Sequence, residues 1–413
     1  MYKATFRINI RKALLMSFVA LGPLGNLLTP HFLPSALRTY FFLLPLFPLF
    51  FFIIYERFMK IGALFLPLFI YSFVSALLVT FFGQANESHT LFRFFLLFTQ
   101  FFFILGAVSS LKTRDELIST LKIYLISYSI SLAIGYCFYI GYYLKIVPLS
   151  ILDRFSVLTQ FGFSILRFSP GSYPNEYGIV SSFVLSILTI LIFEKNQRFI
   201  PVRKPLLYSF FTLTFIAFLL TTTRAAYLSF ALVLLYLLLR SKNFFRAFLK
   251  LSIFTTCLFT FLSFFKFNMF KILKAGFGQK MHQGSLGERL QTWNVALERA
   301  KESPIWGTGF ASITNVHNVY FQLLFELGAI GTLILILSFL IAFLESTSKY
   351  SSGIKDETTH FLEKIRMAGL INVLTFAASN HNLNHHLTWF VFFLCLATLR
   401  LPFLKTRQEL PTT

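Results

Sequence analysis

Long apolar runs alternate with short polar connections along almost the whole chain, and a helix needs about 20 apolar residues to cross a bilayer. That ruler gives about twelve candidate spans. They lie near 13–29, 40–55, 61–82, 92–111, 117–146, 177–193, 205–222, 224–239, 248–265, 319–344, 367–379 and 387–401. Backbone polar groups in lipid must be satisfied within the segment, so runs of this kind are read as helices. The expected fold class is an all-α integral membrane protein of about twelve transmembrane helices, a single polytopic domain over residues 1–413.

Charge placement sets an orientation. Lys3, Arg7, Arg11 and Lys12 precede the first span, which by the positive-inside rule puts the amino terminus in the cytoplasm. The run that follows leads into further spans and has no small-residue cleavage site, so it reads as the first span and not as a removed signal. Every second connection is then basic: Arg57 and Lys60; Lys112 and Arg114; Lys195, Arg198, Arg203 and Lys204; Arg240, Lys242, Arg246 and Lys250; Lys349, Lys355, Lys364 and Arg366; and finally Arg400, Lys405 and Arg407. The opposite connections hold only scattered cations, Arg38, Arg93, Lys145 and Arg154. An even number of spans, with both termini inside a bacterial inner (cytoplasmic) membrane, is the expectation.

Composition agrees. Hydrophobic residues make up 56% of the chain and charged residues 13%. That is far from a water-soluble balance. The 57 phenylalanines read as lipid-facing filler and not as an aromatic recognition box. A net charge of +21 could suggest nucleic acid. The cations, however, lie between apolar runs and no basic module appears, so no nucleic-acid partner is expected. Cys137, Cys257 and Cys395 lie inside apolar runs at separations that match no metal or redox motif, and are expected to be buried small hydrophobes.

One outer connection is long. The segment 266–318 holds Lys271, Lys274, Lys280, Arg289, Arg299 and Lys301, and long loops are exempt from the charge rule. Ser285-Leu286-Gly287-Glu288 reads as a capping box that starts a helix. Leu286, Leu290, Trp293, Leu297 and Ala300 then share one face, and Pro304 ends the run. A short amphipathic helix against the membrane surface or the top of the bundle is predicted. Arg289, one turn before Trp293, borders its apolar face and can point into a cavity below. Pro304-Ile305-Trp306-Gly307-Thr308-Gly309-Phe310 follows, with two glycines for tight turns. His317-Asn318-Val319-Tyr320 opens the tenth span, in which Asn318, Gln322 and Glu326 form a polar stripe. Gly328 and Gly331 there suit close helix packing.

These residues resemble the O-antigen ligase and polymerase superfamily. The likeness lies in Arg289-x3-Trp293-x2-Ala296, Pro304-x2-Gly307-x-Gly309, His317-Asn318-x-Tyr320 and Glu326-Leu327-Gly328-x2-Gly331, taken in that order. Thr223-Arg224-Ala225-Ala226 is similar to the family's Ser/Thr-Arg-Gly/Ala turn. Arg167-Phe168-Ser169-Pro170-Gly171 with Pro174-Asn175-Glu176-Tyr177-Gly178 is similar to its Arg, Gly and Asn element. The motifs cover roughly residues 160–345. Ala225 departs from the pattern where glycine is common, and Glu288 and Gln291 stand at positions that vary in the family.

The resemblance implies a GT-C-like architecture and a metal-independent glycosyltransferase with a periplasmic active site. Its donor would be a glycan on undecaprenyl diphosphate, and its acceptor a glycan or lipid A-core hydroxyl. No cofactor and no metal are expected. An O-antigen ligase is the expectation, with an O-antigen or exopolysaccharide polymerase as the alternative, since both share these motifs. The leaving diphosphate calls for cations, and arginine donates a pair of hydrogen bonds while staying charged. Arg224 and Arg289 are the first candidates, then Arg167. Histidine, with an ordinary pKa of about 6.5, suits the base that takes the acceptor's proton, and His317 is that candidate. Asn318, Asn175 and His381 are secondary candidates.

Plainer readings compete with each of these. An arginine at a span end snorkels to lipid phosphate, Arg289 could sit on a solvated helix face, Arg167 could anchor a span, and His317 could cap a helix. Glu326 lies nine residues beyond His317 and faces away from it on a helix, so it reads as structural. His381, His385 and His386 form an outer cluster in which His381 and His385 share helical spacing, yet they have no acidic or cysteine ligand nearby and read as lining the acceptor path. A twelve-span transporter or lipid-glycan flippase would predict internal repeats, and none is found. A scaffold without chemistry would leave the cations and His317 unexplained.

Overall fold

A computed structural model describes residues 10–24, 59–82, 113–148, 156–160, 164–170, 174–194, 203–241, 285–310, 316–351 and 357–378, with isolated positions between these ranges. The expected spans 40–55 and 387–401, nearly all of 92–111 and 248–265, both chain termini, residues 266–284 and the cluster of His381, His385 and His386 lie outside the described residues.

The elements are α1 (Ile10–Leu24), α2 (Met59–Phe82), α3 (Arg114–Tyr143), β1 (Ser156–Gln160), β2 (Ser164–Phe168), α4 (Pro174–Glu194), α5 (Lys204–Leu220), α6 (Arg224–Leu239), α7 (Ser285–Ala300), α8 (Val319–Ser351) and α9 (Glu357–Ala377). Among the described residues, Arg114–Tyr143, Pro174–Phe193 and Val319–Ser338 are long and apolar enough to cross a membrane, and four shorter apolar helices accompany them. The protein is a helical membrane protein.

Two expectations about secondary structure are corrected. The described chain is not all-α, because β1 and β2 pair antiparallel, with Val157 opposite Arg167. This hairpin falls in a connection whose strands are too short to show in a span-length reading. The span expected at 367–379 belongs to a helix that begins at Glu357. Lys364 and Arg366, assigned from sequence to a loop, lie on that helix, and Arg366 is buried with Glu363 3.7 Å away. A charged turn inside the helix masked its start.

Packing follows from α4. Nearly nine-tenths of its span is buried, against less than half of α3 or α8. It touches α5, α6 and α9, and small polar residues at the contacts let the helices come close. Asn372 of α9 accepts hydrogen bonds from Ser182 of α4 (2.5 Å) and Ser229 of α6 (2.7 Å), joining three helices through one buried amide. A Cβ at Gly178 of α4 would lie 2.8 Å from Thr223 Cβ, so glycine sets how near α6 can start. On α3, Ile126, Ile130, Cys137 and Ile140 face outward. Cys137 is therefore exposed and not buried as expected, since α3 shows this stripe to the surroundings of the bundle.

The helix ends sort into two levels. Arg114 donates to Thr359 at 2.6 Å, bringing together the starts of α3 and α9. α6 packs along α9. At the opposite level Tyr320 of α8 donates to Leu374 O of α9 at 2.9 Å, and the starts of α4 and α6 meet β2.

α8 is not one straight helix, as expected from sequence, because Gly328 has φ 62° and ψ −167°. In an unbroken helix the N–H groups of residues 329 and 330 would bond the carbonyls of 325 and 326. Here the loop after α7 takes both pairs apart. Ala329 N–H donates to Pro304 O (2.9 Å) and Ile330 N–H to Ile305 O (3.2 Å), while Thr308 and Gly309 N–H donate to Phe325 O and Glu326 O (both 2.9 Å). The carbonyls of 325 and 326 and the N–H groups of 329 and 330 are thus satisfied by the loop. A Cβ at Gly328 would lie 2.3 Å from Ile305 O, and one at Gly307 2.4 Å from Glu326 O. Tyr71 of α2 donates to Trp306 O, and Ser75 accepts from Phe310 N–H, so α2 holds the loop from its other side.

Candidate active site

Three elements converge on Arg167. β2 carries it; its Nε donates to Thr221 O in the α5–α6 turn at 2.7 Å; and its Nη2 donates to Asn175 Oδ1 in the first turn of α4 at 3.0 Å and to Thr223 Oγ1 at 3.2 Å. Thr223 spends its own proton on Pro174 O at 3.0 Å, so it can only accept from Arg167. The turn is tight enough to hold Thr222 at φ 50°. Arg224 follows at the first position of α6.

Arg167 is half-buried, and loss of water pushes its pKa down to about 10; Glu176 counters that, while Arg289 and Arg224 add to it. The guanidinium is still a cation at neutral pH. Burial likewise lowers the pKa of Arg289, and Arg224 lowers it further. These effects on one another place the three guanidiniums within electrostatic reach. Residues from β2, α6 and α7, far apart in sequence, thus form one cluster of positive charge. The amino-terminal ends of α4 and α6 lie beside it, where the helix dipoles favour an anion.

α7 reaches the cluster by packing on α8. Ala296 and Ala300 are buried, and Leu290, Trp293 and Leu297 are half-buried, as the periodicity predicts. The helix begins at Ser285; the side chains of the proposed capping box, Ser285 and Glu288, are outside the described residues. The Trp293 ring meets Phe321 edge-on at 5.4 Å, and its Nε1–H donates to Val316 O at 2.7 Å. His317, the next residue, is half-buried with a left-handed backbone, φ 53°.

Asn318 has a structural task. Its Oδ1 accepts from Tyr320 N–H (3.0 Å) and Phe321 N–H (3.1 Å), which caps α8. Asn175 orients Arg167. Gln322 Nε2 donates to Glu326 Oε1 at 3.0 Å, and Glu326 is buried, so this part of the polar stripe is internally bonded. Among the described residues no group of three His, Cys, Asp or Glu is placed to hold a metal ion.

The sequence reading named Thr223, Glu176 and Trp293 within motifs but gave them no role in the site, and did not name Tyr227. Glu176 had a usable signal, since a carboxylate in the first turn of an otherwise apolar span needs a cation. Thr223 was named only as part of the turn that carries Arg224, and Tyr227 had no signal beyond adjacency to it.

A comparison with curated proteins gives no match. Residues 207–336, from α5 to the middle of α8, match the model of the family described as O-antigen ligase. The match takes in Arg224, Arg289 and His317 and leaves Arg167 and Asn175 outside it. This stretch of the chain, which carries Arg224, Arg289 and His317 of the candidate site, is similar to the O-antigen ligase family.

Proposed function

We propose that the protein transfers a glycan from an undecaprenyl diphosphate carrier to an acceptor hydroxyl, as an O-antigen ligase acting on lipid A-core at the periplasmic face of the inner membrane. The observation that carries this reading is the cluster of Arg167, Arg224 and Arg289 at two helix amino-termini. A diphosphate leaving group places its charge where such a cluster stabilises it. Arg224 and Arg289 would bind phosphate oxygens. Arg167 has Nε and Nη2 engaged by protein, so it offers Nη1 and the charge.

His317 takes the proton of the acceptor hydroxyl as that oxygen bonds the sugar's anomeric carbon. The bond from that carbon to the phosphate oxygen breaks, and undecaprenyl diphosphate leaves with the electron pair. Arginines alone can offset the charge, which makes the reaction metal-independent. The alternating basic connections put α4's start, the α5–α6 turn and α7 outside and both termini in the cytoplasm.

The test uses the purified protein, carrier-linked glycan and defined acceptors. His317→Ala and Arg289→Ala abolish transfer while membrane insertion stays normal, and a chelator leaves the wild-type rate unchanged. Wild-type transfer by either variant overturns the assignment. A polymerase of the same superfamily would extend the carrier-linked glycan with further repeat units in place of moving it to lipid A-core, so the product separates the two.

A further inference from the structure

We infer that Trp293 is a positioning residue that holds His317 in register with Arg289; this rests on the proposed transferase reading. The two candidate groups belong to different pieces of chain, Arg289 to α7 and His317 to the segment that enters α8. The indole bond from Trp293 Nε1 to Val316 O spans 23 positions and ties these pieces together one residue before His317. On the other side of His317, Asn318 Oδ1 accepts from the first amides of α8.

His317 is thus flanked by two fixed points. Its left-handed backbone at φ 53° is unfavourable for a residue with a side chain. A residue stays there only when its surroundings over-determine it. The Val316 carbonyl and the Asn318 side chain supply that constraint. Trp293 also packs edge-on against Phe321 in the first turn of α8, so one side chain fixes both the height of α7 and the setting of His317. Arg289 lies one turn before Trp293 on α7 and shares its fixed position. The indole N–H is the part of this arrangement that a phenylalanine cannot replace.

Trp293→Phe keeps the ring and removes the donor. In purified enzyme the expected result is a transfer rate at least about tenfold lower, the size of one lost hydrogen bond at a constrained site, with half-saturating donor concentration and melting temperature close to wild type. A second readout does not depend on activity. Diethyl pyrocarbonate modification of His317, followed by mass spectrometry, is expected to run faster in the variant as the 316–318 segment loosens. A wild-type rate and wild-type labelling overturn the inference. So does a parallel collapse of donor binding and melting temperature, which would mark Trp293 as a general stabiliser. If the wild-type protein transfers no glycan, the functional reading fails, and the labelling experiment still decides whether Trp293 sets His317.

Discussion

Arg167 exemplifies how a cation is kept in a half-buried site. Three hydrogen bonds hold it to a backbone carbonyl, an amide side chain and a hydroxyl, and Glu176 offsets part of the cost of burying it. Lysine at this position has one point charge and no planar fork. Arg167→Lys is expected to lower glycan transfer by about tenfold or more, the effect of losing one charge-assisted bond, with the melting temperature also reduced because β2 loses its tie to α4 and α6. Transfer unchanged within twofold in the lysine variant would show that charge alone suffices there. The arginines were legible in sequence because an arginine beside an apolar run invites explanation. The bonds that Thr221 and Thr223 make to Arg167 were not, because they depend on where a carbonyl and a hydroxyl point.

At the scale of elements, the loop 304–309 and α8 act as one unit. The loop takes over both backbone pairs that an intact helix would form at residues 325, 326, 329 and 330. Gly328→Ala forces a side chain into a left-handed position and against Ile305 O. A loss of about 2–4 kcal/mol is expected, in the range for strain combined with displaced backbone bonds. It would be read as a fall in thermal midpoint in detergent, with Ala329→Ser, at an exposed position, as the control. A midpoint equal to the control's would mean that the break is not held by the loop. The sequence displayed both glycine pairs but could not tell a packing glycine from a helix-breaking one. Only the loop's return to residues 325–330 makes that distinction, and a pattern of 3.6-residue periodicity carries no record of a partner segment.

At the scale of the whole molecule, the two levels of helix ends give a topology that can be measured. In a chain lacking Cys137, Cys257 and Cys395, Lys301→Cys beyond α7 is expected to react with an impermeant maleimide from the outside. Arg240→Cys at the end of α6 should react only after the membrane is opened. Both positions are exposed, so labelling of the two from the same side would overturn the proposed orientation. Apolar periodicity and run length determined from sequence alone that the chain is a membrane protein, because hydrocarbon tolerates only long apolar helices or closed barrels. Motif order likewise placed Arg224, Arg289 and His317 on a short list. Tertiary structure decided what adjacency in sequence cannot encode. It brought a hairpin arginine to the starts of α4 and α6, laid α7 along α8 so that Arg289 stands near Arg224, and split α8 at Gly328. The physical reason is that hydrophobicity is a property each residue carries by itself, whereas a cluster of like charges exists only where the packing of many other residues offsets its repulsion.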